Sequence, residues 1–251
     1  MTLTGHFFTK QSSWDDATRT SIYPAYVAAC DVAGFDIYPI FGSNYPSHLH
    51  HVAEAVEELV ALAGPRPVFA WIETNKGSRW VSPEKQLDVL PMHTRAEVWM
   101  AIIRGATAIG YFTHTWVPSY KQFAPEGEMV VELNRLDRQL TRLAPAILAD
   151  PAHVEIEMSI ASGLPCHFKA TEHDGHLYIF AQNIHVDDNK DALGQGEQIN
   201  PRGGKATFVV HGLRAGTEVE VVDEARTVTA GDGQFTDDFG PLAEHVYRLK
   251  L

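Results

Sequence analysis

Apolar positions change period once along this chain, close to residue 149. Before it, short apolar runs alternate with stretches of helical spacing, the pattern of βα units around a parallel sheet. The runs Leu3 to Phe8, Gly34 to Ile40, Val68 to Glu73 and Ala108 to His114 predict strands. Helices are predicted at about Thr20 to Cys30, Ser47 to Ala63, Met92 to Arg104 and Gly127 to Ala144. The second has clear punctuation: Ser47 is placed to cap it, Leu49, Val52, Val56, Leu59, Val60 and Ala63 recur on one face, and Gly64-Pro65 ends it. The third carries apolar residues on more than one side, which predicts cover on two faces.

After Ala149-Asp150-Pro151 the period becomes two. Val154 to Ser159, Leu177 to Asn183, Ala206 to Val210, Val219 to Asp223 and Val246 to Leu251 predict strands, separated by turns such as His173-Asp174-Gly175. The polar stretch Asp187 to Gly204 predicts a solvated loop. The expected architecture is α/β plus all-β, with one domain over residues 1–148 and a small antiparallel β-sandwich over 149–251.

With 251 residues and 45% hydrophobic content, the chain can bury a sizeable core. Its net charge of −12 disfavours nucleic acid and anionic membranes and leaves neutral substrates as partners. No apolar stretch reaches the roughly 18 residues of a membrane span. The two cysteines, Cys30 and Cys166, lie far apart and predict buried thiols rather than a metal or disulfide framework. The compartment is left open.

Parallel βα folds place their chemistry at the C-terminal ends of strands. Polar groups fall there four times: His6 and Lys10, Asp36 and Tyr38, Glu73 with Trp71 two residues before it, and His114 with Trp116. Alternation puts Trp71 and Glu73 on one side of their strand. The long connection from Thr74 to Pro91 adds Arg79 and Trp80. A carboxylate among indole and phenol rings suits a sugar, whose ring faces stack on aromatics while its hydroxyls bond to acids. Each assignment has a plainer counterpart. Asp36 and Tyr38 also fit a strand-ending D-x-Y-P turn whose carboxylate caps amides, Trp71 also fits an interior filler, and Arg95 fits an ion-pair partner. The histidines His48, His50 and His51 sit at a helix start assigned to the solvent side, and His6, Asp36, Glu73 and His114 lack metal-ligand spacing, so no metal or other cofactor is expected.

Gly34 to Ile40, Pro67 to Glu73, Arg95 to Ala106 and Gly110 to His114, in that order, resemble the C-terminal half of clan A glycoside hydrolases, nearest to β-galactosidase-like barrels such as family 42. The resemblance implies a retaining hydrolase acting on O-glycosyl bonds, with the four βα units as strands five to eight of a TIM-type barrel. It implies that Glu73 is the catalytic nucleophile, with His6, Asp36, Tyr38, Trp71, Trp80, His114 and Trp116 as the sugar site. Retention also requires a proton donor about 5 to 5.5 Å from the nucleophile, and the resemblance places it in a half-barrel before residue 1. The expectation is therefore an inactive fragment that needs its other half or pairs as a homodimer. The alternatives are a non-catalytic carbohydrate-binding or scaffold protein and a metal-dependent barrel hydrolase.

Overall fold

The computed structural model describes residues 1–250, and in it the four apolar runs of the first half lie side by side. Strands β1 (Thr2–Thr4), β2 (Ala33–Asp36), β3 (Val68–Glu73) and β4 (Ala108–Phe112) form one parallel sheet in that order. Register pairs Thr4 with Asp36, Asp36 with Trp71, and Trp71 with Gly110. Helices α1 (Asp16–Ala28), α2 (His51–Ala63), α3 (Pro91–Ile103) and α4 (Glu128–Ile147) follow the strands. The sheet face bearing Leu3, Ala33, Phe35, Val68, Ala70 and Ile72 is buried. α2 and α3 pack on β3 and on each other.

Local chemistry moves several expected boundaries. β1 stops at Thr4 because Gly5–Phe7 turns into a 3-10 helix. α1 starts earlier than Thr20 because Asp15 caps it, accepting from the Thr18 amide at 2.7 Å. α2 starts at His51 rather than Ser47, since Pro46–His48 forms its own 3-10 turn, and Gly64, at φ +60°, ends it. α3 opens on Pro91, and His93, Thr94 and all residues from Ala96 to Ile103 are buried, in keeping with cover on two faces.

The chain divides into two compact units. The first comprises residues 1–133 and 189–199, and the second comprises 134–188 and 200–251. Within the second, β6 (Cys166–His173), β7 (His176–Asn183), β9 (Glu218–Val221), β10 (Arg226–Thr229) and β12 (Glu244–Leu249) form an antiparallel sheet in the order β10-β9-β12-β7-β6. β5 (Ile156–Ile160), β8 (Gly204–Val210) and β11 (Gln234–Phe239) form another, in the order β11-β8-β5. Phe208, Phe235, Phe239, Ile179, Val219, Val221 and Tyr247 meet in one core. The final strand ends at Leu249, and Leu251 lies outside the described residues. Both cysteines are free and half-buried. No helix among the described residues is long and apolar enough to cross a membrane.

Residues 189–199 correct the expectation of a solvated loop. The Gly196 amide donates to the Asn44 carbonyl at 2.6 Å, and the Gln195 side chain donates to the Ser43 carbonyl at 2.9 Å. The turn Lys190–Ala192 packs against Pro46–His48.

Candidate functional site

A cavity of about 370 Å³ opens at the C-terminal ends of the parallel strands, lined by Thr2, Asp36, Tyr38, Trp71, Tyr111, Phe112, Thr113, His114 and Phe123. Four sequence-predicted residues, Asp36, Tyr38, Trp71 and His114, therefore converge on one space. Strand alternation explains this: Thr2, Asp36, Trp71 and Phe112 all face the side of the sheet opposite the buried face. Trp71 is held in place by its indole N–H, which donates to Thr2 Oγ1 at 3.3 Å, and by an edge contact with Phe69 at 5.0 Å. Gly110 makes the room. A Cβ there would lie 2.5 Å from the Phe69 ring and 2.8 Å from the Trp71 ring.

Phe112 is the centre of an aromatic cluster. It contacts Tyr38 at 4.7 Å, His114 at 5.3 Å and Trp116 at 5.6 Å between ring centroids. Trp116 thus stands behind His114, 5.7 Å away, and Trp80 packs edge-on against Trp116 at 5.7 Å. The Arg79 guanidinium lies 4.9 Å over Trp80 and 5.8 Å from Trp116. Asn75 fixes the loop that carries His114, donating to its carbonyl and to Thr115 Oγ1, each at 2.8 Å. The same loop is tied to Gly77, whose carbonyl accepts from Trp116 at 2.7 Å. Gly77 has φ +106°, and a Cβ there would meet Thr115 at 2.3 Å, so only glycine fits.

His6 is not in the cavity lining. It stacks on Trp14 at 5.9 Å and lies 3.4 Å from the Ser13 amide and hydroxyl. Glu73 departs further from expectation. A nucleophile needs a carboxylate open to substrate, but this side chain is 0% exposed and committed to backbone. One oxygen accepts from the Ile40 amide at 2.9 Å, and the other from the Phe41 amide at 2.6 Å. The turn after β2 closes over the end of β3, so the residue that alternation points toward the cavity is sealed beneath Tyr38 to Phe41. Thr94 of α3 adds a bond to the Glu73 carbonyl at 2.9 Å.

Beneath Glu73 lies a second carboxyl that sequence reading missed. Glu97 of α3 is also fully buried, and neither of its oxygens meets hydrogen-bond geometry. Burial, then the adjacent Glu73 charge, pushes Glu97 well above the carboxylate range. Burial also raises Glu73, but Glu97 and the two amides pull it back. Of the two, Glu97 therefore holds a proton the more firmly, and Glu73, with two amides on its oxygens, is the better placed to carry charge. The signal for Glu97 was a lone carboxylate among Ala96, Val98, Trp99 and Met100, where an apolar residue belongs. Tyr111, Phe112 and Thr113 were equally readable as the residues just before His114.

The cavity has one carboxyl, Asp36. Burial lifts it to about 6. Burial, with the carboxyls of Asp36, Glu73 and Glu97, also raises the Tyr38 phenol, which stays protonated and able to donate. The site thus offers a weakly acidic carboxyl, a phenol, an imidazole and an indole face around one small apolar-walled space.

Its sequence matches no family model and no curated protein. Its structure matches an α-amylase from Geobacillus thermoleovorans solved with acarbose, at TM-score 0.53 and 10% identity, over 98% of this chain and 62% of that one. A cyclomaltodextrinase matches at TM-score 0.52 and 11% identity, over 86% and 37%. A family 27 β-L-arabinopyranosidase from Geobacillus stearothermophilus, solved with arabinose, matches at 0.50 and 9%, over 92% and 48%. The chain spans less than two thirds of the length of each of these solved structures. At such identities the likeness is one of fold, a mixed α/β architecture that this chain shares in part with these three structures.

Proposed function

We propose that the cavity binds one ring of a neutral carbohydrate and that the chain is the C-terminal part of a retaining, β-galactosidase-like glycoside hydrolase. In this reading the four βα units are strands five to eight of a TIM-type barrel and the antiparallel unit is its appended β-sandwich. The observation that carries the proposal is the convergence of Asp36, Tyr38, Trp71 and His114 at the strand ends. Trp71 provides the stacking face, Asp36 and His114 take hydroxyl groups, and Tyr38 donates from a wall it shares with Phe112. Trp116 and Trp80 support that wall from behind.

Glu73 acts here as a positioning residue. By gathering the Ile40 and Phe41 amides, it sets the turn that carries Tyr38. Retention needs two carboxyls flanking the bond to be cut, and among the described residues Asp36 is the only one in the cavity lining. The chain alone is therefore expected to bind sugar without turnover.

Tryptophan fluorescence during titration with galactose and lactose tests the site. Trp71→Ala and Asp36→Asn are each expected to weaken binding at least about tenfold, corresponding to the loss of roughly 1.4 kcal/mol. Unchanged affinity in Trp71→Ala would overturn the assignment. The nucleophile reading of Glu73 is tested separately with a 2-deoxy-2-fluoro glycoside: covalent labelling at Glu73 would show that the 38–41 turn opens and would restore that role.

A further inference from the structure

We propose that His50, His51 and Glu54, closed by Asp191, bind a divalent transition metal ion of the zinc class. The cluster lies where α2 begins, outside the carbohydrate cavity. One potential ligand atom from each of His50, His51 and Glu54 falls within 4.8 Å of the other two. Asp191 Oδ1 lies 3.7 Å from His50 Nε2. Two imidazoles and two carboxylates are a donor set that zinc accepts in tetrahedral geometry.

Histidine pairs are common on surfaces, but these are inside the protein. His50 is 2% exposed and His51 is 6% exposed. His50 Nε2 and His51 Nδ1 are buried without hydrogen-bond partners. An orphaned polar atom destabilises a buried site, and a metal bond would remove that cost. His50 is also oriented as a ligand. Its Nδ1 lies 2.9 Å from the Ser47 carbonyl, and donation there leaves Nε2 with the free lone pair. Metal-bound histidines are fixed in this way by a carbonyl on the far nitrogen. His48 stacks on His51 at 4.3 Å and restrains the second ring.

Three features oppose a cation: the helix N-terminus, Lys10, and Lys190, whose charge also bears on His50. The helix N-terminus carries partial positive charge, which the two carboxylates offset. Lys10 Nζ lies 2.9 Å from Glu54 Oε2, but its side chain is half exposed and can leave for water. Tetrahedral ligands at about 2.0–2.2 Å from zinc are about 3.3–3.6 Å apart. Closing from 4.8 Å requires rotation of the Glu54 side chain, and the exposed Asp191 carboxylate would move in from its place 3.7 Å from His50 Nε2. A bound ion would tie the 189–199 segment to α2.

The test is zinc titration of the chelator-stripped full chain against a chromophoric competitor, with cobalt as a spectroscopic substitute. One tight equivalent is expected, with cobalt giving the intense visible bands of tetrahedral coordination and X-ray absorption fitting two imidazoles. His51→Asn and Glu54→Gln should each weaken zinc binding at least about tenfold. Because a buried substitution can disturb folding, the exposed Asp191→Asn provides a second measure and should also weaken binding. Lys10→Met, which removes the competing ammonium, should strengthen it. No tight equivalent in the parent protein, or unchanged affinity in folded His51→Asn and Asp191→Asn, would overturn the proposal.

Discussion

The behaviour of single carboxyls is decided by what surrounds them, and two predictions follow at this scale. Asp36 sits near 6 in the folded chain against 3.8 for the free group. Between about pH 4 and 6 the folded state therefore holds a proton that the unfolded state has released, so this group makes stability fall as pH rises through that window. Glu73 and Glu97 act in the same direction, so the test is a comparison: Asp36→Asn should flatten the slope of urea-unfolding free energy against pH, and an unchanged slope would remove Asp36 as its source. The buried pair is read by substitution. Glu73→Ala strands two amides and should cost about 2–4 kcal/mol. Glu97→Gln preserves a neutral donor beside Glu73 and should change stability by less than about 1 kcal/mol. Chemical denaturation of both variants checks the assignment, and an equally large loss in Glu97→Gln would mean that Glu97 carries charge.

Among the elements, β3 and α2 were legible because their buried sides are apolar at the right period. Other elements are harder to read because polar residues hold some of their buried positions. In β6 the buried residues are His167 and Thr171, the first paired with Gln182 at 2.9 Å and the second donating to the Ala146 carbonyl at 2.7 Å. Its apolar side, Cys166, Phe168 and Ala170, packs against the core but is only partly buried, so the alternation is a weak signal beside these polar positions. β11 is similar: between Phe235 and Phe239, Asp237 receives two bonds from Arg226 and one from Tyr247, all near 2.9 Å. At the site, alternation along β2, β3 and β4 correctly brought Asp36, Trp71 and the approach to His114 together. It failed for Glu73 because that residue's fate depends on Ile40 and Phe41, more than 30 residues away and without a side-chain signal. Gly110 shows how strictly the sheet shapes the cavity. Gly110→Ala should displace Phe69 and Trp71, cost about 1–3 kcal/mol, and abolish the sugar-dependent fluorescence change. A variant that keeps both stability and response would show that the ring packing is looser.

On the scale of the whole molecule, the parallel sheet ends in β1 on one side and β4 on the other, and neither has a further strand partner among the described residues. Such edges, with an aromatic face beside them, favour pairing with another sheet. The net charge of −12 opposes this at low salt. Sedimentation velocity should show association that grows with protein concentration and with added salt, and a concentration-independent monomer would count against edge pairing.

The path of residues 189–199 has a wider consequence. The chain passes from one compact unit to the other at 133/134, 188/189 and 199/200, so neither unit is one continuous piece of sequence. The two cannot be exchanged as cassettes. A cut after residue 148 would leave Ser43, Asn44 and His50 without the segment that meets them, and a graft of the antiparallel unit onto another protein would carry a strap with nothing to fasten. Any recombination that kept the fold intact would have to inherit both parts together.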